Sequence, residues 1–185
     1  MKRKTLKITA FIAAIMLIIG LGIFASSLVG NPVSHMLCEK KAKTYLSEKY
    51  ADTDFILEKV SYSFKGGNYY AYIQSPGSAD SYFTLTLDMG GNLKNDSYTD
   101  MVVSGENTAR RLNQAYRELT DSVFESSAFP FASEIAFGDL EFVPKAYSQN
   151  KDIPPYAIIQ EDLELDRLYN IPELGAKAGR LTVYI

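Results

Sequence analysis

One histidine and one cysteine stand three residues apart, at His35 and Cys38. Any Ser-His-Asp or Cys-His device in this chain has to use His35, and a helix would set Cys38 on nearly the same face. The plainer role is a boundary residue beside a small buried hydrophobe. No G-x-S-x-G accompanies the pair. The acidic run Glu161-Asp162-Leu163-Glu164-Leu165-Asp166 is the most unusual local feature. On a strand, Asp162, Glu164 and Asp166 would share one face while Leu163 and Leu165 point into the core. Such a row is a candidate weak cation site, or the acid and base of a glycosidase. Residues two apart on any strand lie roughly 7 Å apart, however, so the spacing discriminates nothing. No EF-hand spacing is present. A solvated acidic face is the competing expectation.

Tyr69, Tyr70 and Tyr72 follow a Gly-Gly-Asn turn and form a candidate binding surface, since exposed tyrosines stack on sugars or meet protein partners. The alternative is that alternate tyrosines pack beneath a helix, as strands favour them anyway. The two Gly-Gly-Asn turns, at Gly66–Asn68 and Gly90–Asn92, lack the glycine spacing of a nucleotide loop. The residue pattern names no catalytic residue, no metal ligand set and no cofactor.

The chain has 185 residues, with 19 Lys and Arg against 22 Asp and Glu, one Cys and no Trp. That excludes a disulfide-stapled miniprotein, a Cys/His metal cluster and a basic nucleic-acid binder. Lys2, Arg3, Lys4 and Lys7 precede Ile8 to Gly30, 23 residues without a charge. At about 1.5 Å per residue such a helix crosses a hydrocarbon core of about 30 Å with some tilt. The basic residues place the N-terminus in the cytoplasm and everything after Gly30 outside. A cleaved signal peptide is the competing reading, through Ala25-Ser26-Ser27. Setting the four basic residues aside takes the net charge from −3 to −7, which disfavours nucleic acid or anionic lipid as a partner by bulk charge. Gly22, Ser26 and Gly30 form a small-xxx-small row along the span, open to a second helix.

These elements need scaffolding. Asn31-Pro32 predicts a helix start, with a stripe at Leu37, Cys38, Ala42, Tyr45, Leu46 and Tyr50. Strands follow, with Ile56, Val60, Tyr62 and Phe64 sharing one parity and Glu58 the exception, then Tyr69, Ala71 and Ile73, then Phe83, Leu85 and Leu87 alternating, then Leu93 to Tyr98. Ser104 is placed to cap a helix whose apolar face is Ala109, Leu112, Tyr116, Leu119 and Val123. A strand near Ile135 to Val143, an alternating strand over Ala157, Ile159, Leu163 and Leu165, a helix from Pro172 to Gly179, and a terminal strand with Leu181, Val183 and Ile185 complete the reading. The fold class is α+β: an N-terminal transmembrane helix, then two small lobes of helix on antiparallel sheet, with one continuous sheet shared by both lobes as the alternative. The boundaries are 1–7 cytoplasmic, 8–30 span, 31–101 first lobe and 102–185 second lobe.

Several pieces resemble one family. They are Gly30-Asn31-Pro32, Lys59-Val60-Ser61-Tyr62-Ser63-Phe64-Lys65, Asn107-Thr108-Ala109, Phe137-Gly138-Asp139-Leu140-Glu141-Phe142, Asp162-Leu163-Glu164-Leu165-Asp166, Glu173-Leu174-Gly175 and Ala178-Gly179-Arg180-Leu181-Thr182. With them nearly the full length resembles the YfjL-like proteins, small membrane-anchored proteins of Gram-positive bacteria. The resemblance implies two α+β domains behind one anchor, and no activity, cofactor or catalytic residue. The first half also resembles extracellular modulator domains at the level of fold alone. The expectation is a single-pass envelope protein that binds another envelope or membrane protein and is not an enzyme. The alternatives are a carbohydrate- or peptidoglycan-binding module and a cation-dependent hydrolase.

Overall fold

The computed structural model describes residues 2–131, 133, 135–149 and 152–184. The chain divides into two compact units, Met1–Ile73 with Thr84–Asp96, and Gln74–Phe83 with Ser97–Ile185. The division near residue 101 expected from composition therefore falls at Ser97, and Gln74–Phe83 groups with the later residues.

In the first unit, α1 (Lys2–Val29) carries a 20-residue apolar stretch, Lys7–Ser26, of mean hydropathy 2.7. It ends at Gly30, whose φ of +84° no L side chain adopts comfortably. A Cβ there would also stand 2.9 Å from the Tyr62 Cβ and Cγ. Gly30 is thus taken up by packing under Tyr62, and the small-residue row expected along the span stops short of it. Asn31 restarts the helix: its side chain accepts the Val33 N–H at 2.8 Å, and Pro32 occupies the first turn. α2 (Pro32–Lys49) buries Cys38, Ala42 and Leu46 and packs along β1 (Ile56–Ser63). With β2 (Asn68–Gln74), β3 (Tyr82–Leu87) and β4 (Leu93–Asp96), β1 forms a sheet of order β1-β2-β3-β4. Strand alternation puts Tyr69, Ala71 and Ile73 of β2, and Leu85 and Leu87 of β3, in the core. β3 and β4 pair antiparallel, Leu85 opposite Asp96, with a shift between Thr86 and Leu87. The turn joining them is closed by Asp88, whose carboxylate accepts the N–H groups of Gly90 at 2.8 Å and Asn92 at 2.9 Å. Those amides are spent on Asp88.

In the second unit, a π-helical turn, Thr99–Val103, leads through Gly105 into α3 (Glu106–Phe124). Ala109, Leu112 and Tyr116 are buried as the stripe predicts. Leu119 and Val123 are not, being 37% and 51% exposed, and Thr120 is buried in their stead. The cause is close approach: β5 (Ala136–Leu140) passes so near α3 that a Cβ on Gly138 would collide with the Thr120 side chain. β5 pairs antiparallel with β8 (Gly179–Val183), Gly138 opposite Leu181. The expected strand to Val143 breaks at Glu141, and β6 (Phe142–Val143) pairs with β7 (Ile158–Ile159) in parallel rather than antiparallel fashion. α4 (Ile171–Ala178) starts at Asn170 and ends at Gly179. Leu112, Tyr116 and Leu140 form the core, with Phe142, Leu163, Tyr169, Ile171 and Leu174 against them. On β8, Leu181 is 57% exposed rather than inward, and the expected inward Ile185 lies outside the described residues.

Candidate functional site

Three tyrosines were candidates for a binding surface, and the pleat separates them. Tyr69 is fully buried. Its hydroxyl accepts the Asn31 N–H at 2.7 Å and donates to the Asn31 carbonyl at 3.0 Å. Tyr69 therefore belongs to the core and to the α1–α2 junction and is not a surface residue. Tyr70 is half-buried and Tyr72 exposed, on the opposite side of β2. Within this unit α2 lies on one face of the sheet, and the other face carries Tyr72 beside Ser61 and Lys59 of β1. The Ser61 hydroxyl reaches the Tyr72 hydroxyl at 3.5 Å, and the Lys59 ammonium sits 5.0 Å from the Tyr72 ring centroid. A cation over an aromatic face is attractive, and here it occupies a face on which a flat ligand would stack. The result is an amphipathic patch with a ring edge, hydroxyls and one positive charge, in which Tyr72 is of the residue type enriched in protein interfaces.

His35 and Cys38 each meet a backbone carbonyl of a different strand or turn. The His35 Nε2 lies 3.0 Å from the Val60 carbonyl, which only accepts, so that nitrogen carries the hydrogen. Its ring meets Tyr69 edge-on at 6.3 Å. Cys38 is buried and its thiol donates to the Asp88 carbonyl at 3.3 Å. Burial first, and the Asp88 charge second, push the thiol up, outweighing a bond from the Gly91 backbone. A thiol so placed stays protonated and is a poor nucleophile. A groove of about 480 Å³ opens beside His35, lined by Val29, Gly30, Met36 and Tyr62.

The acidic row does not form. Asp162 ends a short 3-10 turn, Gln160–Asp162, and Glu164 pairs with Arg167 at 2.6 Å. Asp166 turns away at φ +58°. Its Oδ1 accepts the N–H groups of Ala79 at 2.8 Å and Asp80 at 3.1 Å. The three carboxylates expected on one strand face are thus dispersed, and among the described residues no three His, Cys, Asp or Glu gather as a metal cage.

What holds Asp166 is a network that sequence reading missed. Asp80 is fully buried. Its Oδ1 accepts from Arg111 Nε at 2.7 Å, and its Oδ2 from Thr108 Oγ1, Arg111 Nη2 and the Asp166 N–H, each at 2.9 Å. Arg111 also reaches the Arg167 carbonyl at 3.1 Å. Asn107 donates to the carbonyls of Asp80 and Tyr82 at 2.8 and 2.7 Å. Burial pushes the Asp80 carboxyl up, but Arg111, the Asp166 N–H and Thr108 together hold it below its ordinary value. A carboxylate so fully engaged braces the unit and is not free to transfer protons. The available sequence signal was polar residues, Asn107, Thr108 and Arg111, beside the apolar stripe of α3.

Comparison with known proteins adds one finding. The family described as YfjL-like, N-terminal domain, matches residues 5–117, from the basic N-terminal stretch through most of α3. No curated protein and no solved structure matches. The matched region is more than half of the chain and contains the whole of the first unit after its first four residues. The chain belongs to the YfjL-like family.

Proposed function

We propose that this protein is a single-pass envelope protein, N-terminus in the cytoplasm, whose outer part binds another protein and performs no chemistry of its own. The observation that carries the reading is the open face of the first sheet, where Lys59, Ser61 and Tyr72 form a compact patch. An exposed tyrosine suits the anchor of a protein interface, and Lys59 and Ser61 suit its polar rim. The anchoring part is supported by the 20-residue apolar stretch behind four basic residues. A peptidoglycan-binding module is the other reading. Lys59 over the Tyr72 ring counts against it, because that ring face is where a sugar would stack.

The test is chemical crosslinking of the full chain in its native membrane, followed by identification of the captured protein. Lys59→Glu with Tyr72→Ala should abolish the crosslink, whereas Lys65→Glu at the exposed hairpin turn should retain it. Retention of binding to isolated cell wall as the only interaction, lost in the double variant, would favour the glycan reading.

A further inference from the structure

The helix following the span carries two opposite stripes. Cys38, Ala42 and Leu46 face the sheet, while Val33, Met36, Lys40 and Lys43 follow one another at helical spacing on the outer side, all exposed. Val33 and Met36 are 73% and 70% exposed, and Val29 just before the helix break is 79% exposed. Along this stripe the side chains change with distance from the span, from apolar to basic. Glu39, the acidic residue on this side, is paired with Lys43 at 2.6 Å, so that pair is neutral and Lys40 carries the stripe's net positive charge.

Placement follows from length. The apolar stretch Lys7–Ser26 is 20 residues, roughly 30 Å of helix and so the thickness of the hydrocarbon core. Gly30 then lies roughly 6 Å further on, inside the headgroup layer. There the helix breaks, and α2 begins among headgroups. Apolar side chains at the acyl boundary with lysines reaching toward phosphates is the pattern of a helix lying on an anionic membrane. The net negative charge of the outer part opposes this at long range, but screening confines that repulsion to about 8–10 Å, whereas the lysines would be in contact.

We propose that Val33, Met36, Lys40 and Lys43 of α2 rest on the anionic lipid surface of the same bilayer that α1 crosses. The inference rests on the proposed span, and the test separates the two. The chain has no Trp, so single reporters are silent elsewhere: Phe24→Trp in the span and Met36→Trp on the stripe, both at exposed positions. The full chain is reconstituted in phosphatidylcholine vesicles with and without phosphatidylglycerol, containing lipids brominated deep or shallow in the acyl chain. Phe24→Trp should be quenched by deep bromines in both compositions. Met36→Trp should shift to the blue and be quenched by shallow bromines when phosphatidylglycerol is present. Adding Lys40→Glu and Lys43→Glu should lower the docked fraction more than roughly tenfold, at the strength expected per lysine near an anionic surface. A quenched Phe24→Trp with an unquenched Met36→Trp overturns the inference and leaves the span standing. A blue shift of Met36→Trp without quenching means a protein covers the stripe and also overturns it. Quenching of Met36→Trp indifferent to phosphatidylglycerol and to the charge reversals overturns the anionic-lipid assignment. An unquenched Phe24→Trp overturns the span itself.

Discussion

Asp80 and Asp166 exchange backbone hydrogen bonds: the Asp166 N–H donates to the Asp80 carboxylate at 2.9 Å, and the Asp80 N–H donates to the Asp166 carboxylate at 3.1 Å. Both lie in the second unit, where Arg111 completes the clamp. Removing one partner of a buried pair leaves the other uncompensated. Asp80→Ala is expected to cost about 2–4 kcal/mol, discounted from a fully buried pair because Arg111 is partly solvated. Asp166→Ala should cost less, about 1–2 kcal/mol, through loss of the oxygen that accepts the Ala79 and Asp80 N–H groups and a strained positive φ. Denaturant unfolding of the second unit checks both. Equal, near-zero effects would show that the clamp is ornamental.

The same carboxylate sets an acid dependence. Asp80 is held below its ordinary value of 3.8 in the folded chain, so the unfolded chain takes up that proton first as pH falls. Its stabilisation is complete above that ordinary value and drains away as pH drops from there through the lower folded value. Asp80→Asn should therefore flatten the stability-versus-pH curve in that acid window and leave the slope near neutrality unchanged. Melting temperature followed across the window reads this directly.

At the α1–α2 junction, Tyr69→Phe keeps the buried ring and removes both bonds to Asn31. The expected result is faster amide exchange at Asn31, with a loss of about 1–2 kcal/mol. Gly30→Ala should be worse, because the positive φ costs about 1–2 kcal/mol before the contact with Tyr62 is counted. A tolerated Gly30→Ala would contradict the packing described at this break.

Cys38 is expected to be inert in the folded protein. Its thiol is buried and its acidity weakened by desolvation. Maleimide or disulfide-exchange reagents should label it only after denaturation. Rapid labelling at neutral pH of the native chain would reopen a role for the thiol.

Much of the first unit was legible because its signals are local. The period of Cys38, Ala42 and Leu46 and the alternation of Leu85 and Leu87 each report which face is buried, and both hold. The break at Gly30-Asn31-Pro32 was readable as a helix start for the same reason. What failed was decided by distant partners. The row Asp162, Glu164 and Asp166 fits a strand locally, but Asp166 is drawn into a turn by Asp80, 86 residues away. The α3 stripe gives a direction without a width, and the approach of Gly138 selects Thr120 over Leu119 and Val123. Alternation separated Tyr69 from Tyr72 in principle, yet only the position of α2 says which side is open. Asp80 and Arg111, 31 residues apart, carried no joint pattern at all.

The most direct test of the central claim, that the open sheet face is where a partner protein sits, is a photocrosslinking comparison in intact membranes. A benzophenone amino acid replaces Tyr72 on that face or Lys65 on the hairpin turn of the full chain. A discrete protein adduct from position 72, absent from position 65, is the predicted result. Adducts confined to glycan or lipid, or a position 72 that gives none, would contradict it.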